Sequence, residues 1–77
     1  MKHANTVHLQ LGKNGITDSV LKDIKEKLQT TNPLVIKMNQ SFRQNNDRKL
    51  AAQEIATKTK SKIDSLTGGV LIISRKQ

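Results

Sequence analysis

Residues Val7-His8-Leu9-Gln10-Leu11 alternate apolar and polar side chains. That is the period of a strand with one buried face, with Val7, Leu9 and Leu11 inward and His8 and Gln10 outward. The period then changes. Val20, Leu21, Ile24 and Leu28 recur at spacings of three and four, which predicts an amphipathic helix over 18–29. Thr17 is placed to cap it, with Asp18 near the positive end of its dipole. Asp23 and Lys27 form an i,i+4 pair on its outer side. Thr30-Thr31-Asn32-Pro33 ends it, because the residue before a proline is pushed out of helical space.

Leu34-Val35-Ile36-Lys37-Met38 is a mostly apolar run of strand length. It predicts a central strand covered on both faces. Residues 39–46 are polar and predict a loop. Asp47 can cap a second helix over 48–60, with Leu50, Ala51, Ile55 and Ala56 as a thin apolar face and Glu54 four residues before Lys58. Between Ser61 and Leu66 only Ile63 and Leu66 are apolar, which predicts a weak edge strand. Thr67-Gly68-Gly69 predicts a hairpin turn, Val70-Leu71-Ile72-Ile73 a strong central strand, and Ser74 to Gln77 a short basic end. The order strand, helix, strand, helix, strand, strand predicts a two-layer α/β domain around one core. At 77 residues the chain is expected to be one domain spanning 1–77, with little room for a deep, water-excluding pocket.

Charge changes the picture most. Fourteen Lys and Arg face six Asp and Glu, a net charge of +8, which points to a polyanion, of which nucleic acid is the commonest. The only aromatic residue is Phe42, so base-stacking platforms are not available and recognition has to use phosphates, backbone amides and polar side chains. There is no cysteine, which excludes disulfides, thiolate metal sites and cysteine nucleophiles. His3 and His8 have no carboxylate or cysteine companions that would complete a metal site, so no metal or other cofactor is expected. The serines lack His and Asp partners in sensible places, and no Walker loop is present, so an enzyme is not expected. No apolar run reaches membrane-spanning length and the first residues lack the apolar core of a secretory signal; the expected setting is cytoplasmic, without a membrane partner.

The strand, then Gly12-Lys13-Asn14-Gly15, Ile16-Thr17, an amphipathic helix and Leu34 to Met38 together resemble the CRM domain (chloroplast RNA splicing and ribosome maturation). Arg48-Lys49-Leu50-Ala51-Ala52 and Gly68-Gly69-Val70-Leu71-Ile72-Ile73-Ser74-Arg75 resemble the later part of the same family, so the likeness spans residues 6 to 76. The resemblance implies a mixed four-stranded sheet carrying two helices in the order βαβαββ. It implies a GxxG loop similar to that of KH domains, and a fold similar to the C-terminal domain of a bacterial translation initiation factor. It also implies RNA as the partner. Bacterial stand-alone members associate with precursors of the large ribosomal subunit and plant members act in splicing, so ribosomal RNA is the expected target and ribosomal proteins possible companions. Bacterial members carry an extra helix before the first strand, and only six residues precede Val7 here. The expectation is therefore an archaeal-type, monomeric single-domain form, with the sheet face that helix covers left open or taken by a partner.

Several residues carry the candidate chemistry. In Gly12-Lys13-Asn14-Gly15 the glycines let the backbone lie close to a phosphate, Lys13 adds charge and Asn14 adds donors and an acceptor. The bland alternative is an ordinary basic turn. Lys22 and Lys25 either extend a positive track from the loop or form a solvated helix face, the commoner fate. Arg43, Arg48 and Lys49 surround the polar segment, where Arg43 could fork onto a phosphate. Phe42 could stack on a base or, as favoured, fold back onto the core. Lys37 is expected to snorkel to an edge or an RNA-facing surface. Arg75 and Lys76 either touch phosphate or form a frayed end. A different class of reading is a protein-interaction module built on the open sheet face, and a further one is an RNA chaperone or splicing-type protein acting on non-ribosomal RNA.

Overall fold

The computed structural model describes residues 7–76. The elements are β1 (Leu9–Leu11), α1 (Asp18–Thr30), β2 (Leu34–Met38), α2 (Gln40–Asn45), α3 (Arg48–Thr59), β3 (Ser61–Thr67) and β4 (Val70–Arg75). The four strands form one mixed sheet in the order β1-β2-β4-β3, with β1 parallel to β2 and the other pairs antiparallel. The expected mixed four-stranded α/β sheet is present, with three helices in place of two.

The third helix is α2, which occupies the segment read as a polar loop. Its one apolar residue, Phe42, is fully buried in the core. A single anchor gives no periodicity, so tertiary burial and not amphipathic spacing holds this turn in place. Phe42 folds onto the core, as favoured.

Among the described residues, helices cover only one face of the sheet, and this corrects the reading of β2. Leu34, Ile36 and Met38 are buried, Val35 is half-buried and Lys37 is exposed. The true pattern is the alternation of a one-sided sheet. Leu71 and Ile73 of β4 pair with Ile36 and Leu34 on the same covered face. Ile24 and Leu28 of α1 and Ala51, Ala52 and Ile55 of α3 close the core over them. Leu50, assigned above to the apolar face of α3, is 65% exposed, and Ala52 takes its place. In β1 only Leu11 is buried; Leu9 packs partly against the core and Val7 is exposed.

Local chemistry sets the boundaries. The Thr17 hydroxyl accepts a hydrogen bond from Val20 N–H (3.1 Å), and the Asp47 carboxylate accepts from Lys49 and Leu50 N–H. Lys60 ends α3 in the left-handed conformation (φ 55°), a stop that no glycine announced. The Asp23–Lys27 and Glu54–Lys58 pairs form as expected, at 3.3 and 3.8 Å. Strand β3 lies at the edge and carries an irregularity between Ile63 and Ser65; the Asp64 carboxylate there accepts from the Ser74 hydroxyl at 2.9 Å. No helix among the described residues is long and apolar enough to cross a membrane.

His8 does not simply point outward. Its backbone N–H donates to Val35 C=O (2.9 Å), and its Nδ1 accepts from Val35 N–H (3.0 Å), extending the β1–β2 pairing by one residue. His3, and the expectation about the segment before Val7, lie outside the described residues.

Candidate nucleic-acid interface

Strands β1 and β2 run parallel, so both of their C-terminal ends open at the same rim of the sheet. At such a rim the loops that follow the strands converge, and this is where α/β sheets usually carry ligands. Here the first loop is Gly12-Lys13-Asn14-Gly15 and the second segment is α2 with the start of α3.

The first loop is a tight turn closed by Gly15 N–H donating to Gly12 C=O (3.0 Å). Gly15 has φ +73°, a conformation that costs any residue with a Cβ. Gly12 lies outside the left-handed region, and a Cβ built on it meets nothing within 4 Å. The fold itself therefore gives no steric reason for glycine at position 12. Lys13 and Asn14 at the tip are both exposed. The positive end of the α1 dipole beside them is already met by the Thr17 cap and Asp18. The loop's attraction for an anion thus rests on Lys13 and its backbone amides.

The β3–β4 turn joins the same rim. Met38 N–H donates to Gly69 C=O (2.6 Å) and Asn39 N–H donates to Leu11 C=O (2.9 Å), tying the ends of β1, β2 and β4 together. A Cβ on Gly69 would sit 2.9 Å from Met38 O and 3.4 Å from Arg43 Nε. Glycine is therefore required there, and Arg43 lies across the turn. Arg48 reaches the same turn from the other side, its guanidinium donating to Gly68 C=O. Arg43, Asn46, Asp47, Arg48 and Lys49 line one shallow notch. Its only carboxylate, Asp47, is engaged by backbone amides of α3. Two strand spacings, roughly 10 Å, separate the β1 end that bears the loop from the β4 end beneath the notch.

The remaining candidates divide. Lys37 stands on the uncovered face, in register with Gln10 and Val70 and just below the rim. Asn39, not singled out from sequence, donates weakly from its amide to Gln10 Oε1 (3.4 Å) at this corner. Lys22 does not join the rim cluster. It lies beside Lys25 and Lys58, between α1 and α3. Sequence reading placed Gly69 in the hairpin turn but gave it no part in the site.

The profile of the CRS1/YhbY (CRM) domain matches residues 1–75 of this chain. The chain belongs to the CRM domain family. Among solved structures, a hypothetical protein of Staphylococcus aureus, described as a candidate RNA-binding protein, is similar, with a TM-score of 0.76 and 26% identity. The match covers 97% of this chain and 76% of that one. No curated protein shows significant sequence similarity to the chain. For this CRM domain the rim residues are Gly12 to Gly15, Arg43, Arg48 and Lys49, with Lys37 just below.

Proposed function

We propose that this CRM domain binds RNA through its phosphate backbone, at the rim where the Gly12–Gly15 loop meets the Arg43–Arg48 notch, and that its target is ribosomal RNA, bound without catalysis. The observation that carries the reading is the convergence, on one rim, of a glycine turn with open space over Gly12 and a notch lined by three cations. Arg48 is held by its bond to the Gly68 carbonyl, so less of its side-chain freedom is lost when a phosphate arrives. Family membership and the description of the Staphylococcus aureus relative support RNA as the polyanion. The near absence of aromatic residues supports backbone contact over base stacking.

The test has two parts. Replacing Lys13 and Asn14 together by Ala is expected to weaken RNA binding; unchanged affinity sinks the role of the loop. Crosslinking in cells, with the lysate fractionated on a sucrose gradient, reads the target. Ribosomal RNA in mature particles makes the protein a ribosome component, and ribosomal RNA only in precursor fractions makes it an assembly factor. Scattered transcripts would overturn the ribosomal part of the proposal.

A further inference from the structure

The charges of α1 are sorted by side. Asp18, Lys22, Lys25 and Gln29 follow one edge of the helix at spacings of four, three and four. Ser19, Asp23 and Glu26 follow the next edge, where Asp23 is paired with Lys27 at 3.3 Å, and Lys22 borders both edges. The basic edge faces α3. Lys22 and Lys25 share a depression with Lys58, floored by Leu21. Lys25 also lines the next depression, with Leu28, Thr59, Lys60 and Arg75. The two depressions share Lys25 and follow one another along the seam of the helices, and are taken together as one groove. Five cations, from α1, α3 and its C-cap Lys60, and β4, line it, against one lining carboxylate, Asp18. Glu54 stands near Lys58 but only at 3.8 Å, with both side chains about half exposed, so it neutralises little.

This groove is not the rim. It shares no lining residue with the rim and runs from Asp18, the first residue of α1, along the helix to the last residues of α3 and β4, so its far end lies opposite the Gly12–Gly15 loop. Past the acidic Asp18, its basic part follows α1 from Leu21 to Gln29, eight residue steps or about 12 Å of helix. At about 3.4 Å per nucleotide along a helical strand, that accommodates roughly three phosphates. The floor is the aliphatic seam and the ammonium groups stand at its edges. A ridge of negative charge fits this shape, whereas a membrane surface would need large apolar side chains projecting outward.

We infer that the α1–α3 groove is a second RNA-backbone contact, which holds a different segment of the same folded RNA from the one at the rim. This rests on the proposed RNA-binding function and adds a consequence: the domain bridges two segments, so it binds a folded RNA more tightly than a short strand.

The experiment compares two RNAs, a single-stranded hexanucleotide and a stem-loop with a single-stranded arm, by fluorescence anisotropy at several salt concentrations. Three proteins are used: the unmodified chain, a groove variant (Lys22→Gln, Lys25→Gln, Lys58→Gln) and a rim variant (Lys13→Ala, Arg43→Ala). The groove positions are exposed, and a thermal melt checks that the fold is kept. The groove variant is expected to lose about tenfold in affinity for the stem-loop, with a salt slope shallower by about two, and to keep its affinity for the hexanucleotide. The rim variant is expected to lose affinity for both. A groove variant that binds the stem-loop like the unmodified protein overturns the inference while leaving the rim reading intact. Equal losses on both RNAs also overturn it, since they report a general field and not a second contact. If the unmodified protein binds neither RNA, the RNA reading itself fails.

Discussion

Replacing Gly12 by alanine, with Gly15→Ala as its partner, separates a glycine kept for the fold from a glycine kept for a ligand. Gly15 has φ +73°, so a Cβ there is expected to cost about 1–2 kcal/mol. For a domain of this size that is a fall in melting temperature of about 4–16 °C. Gly12 is outside the left-handed region and a Cβ on it meets nothing within 4 Å. Gly12→Ala should therefore leave stability unchanged or raise it by up to about 1 kcal/mol, by restricting the unfolded chain. On the proposed function the same methyl group would occupy the space through which a phosphate backbone approaches. Losing one close charge-assisted contact, about 1.5–3 kcal/mol, lowers affinity by about 10- to 150-fold. Thermal melting and RNA titration on both variants read the two effects. The expected signature is a stable Gly12→Ala with weakened binding. A Gly12→Ala protein that is stable and binds RNA normally refutes the close approach. One that melts early shows that the glycine serves the fold.

Three further outcomes follow from the packing. Phe42→Ala removes a fully buried ring, the only apolar anchor of α2, and should cost about 3–5 kcal/mol in a urea titration; a loss under about 1 kcal/mol would mean α2 is not docked as described. Asp47→Ala removes the α3 cap and should cost about 1 kcal/mol, yet it also removes the only carboxylate of the notch, so RNA affinity at low salt should rise as stability falls; a drop in both argues that the notch is not the contact. His8→Phe leaves the part-buried Val35 N–H without its acceptor and should cost about 1–3 kcal/mol, with faster amide exchange at Val35; unchanged exchange would show that the imidazole bond contributes nothing.

What was legible in the sequence followed from periodicity. The α1 face and the β4 run stand out because several apolar residues repeat at one period, and both formed where expected. α2 was hidden because one phenylalanine cannot announce a helix. The one-sided burial of β2 was masked by Val35, an apolar residue on the open face that made the run look continuous; only Lys37 kept the true alternation. α3 misled because its core contact is built from alanines, small enough to let the helix sit close, while the larger Leu50 faces out. The Gly12–Gly15 loop could be read because its residues are adjacent in the chain. So could the cations of the notch, Arg43, Arg48 and Lys49; what could not be read was the Gly68-Gly69 turn beside them, which the strand order β2-β4-β3 brings there.

Strand β1 is three residues long and lies at an edge, paired on one side only. The loop of Gly12 to Gly15 hangs from it, and its remaining ties are the bonds of His8 and Asn39 across to β2 and back. Edges of this kind open locally far more often than the core unfolds. If RNA grips the closed loop as proposed, it draws on that equilibrium, and each nucleotide held there would also staple β1. On the proposed function, the loop that meets RNA and this short edge of the sheet are the same few residues, so binding and local folding there would form one coupled event, and amide exchange in β1 is expected to slow on RNA binding more than anywhere else in the sheet.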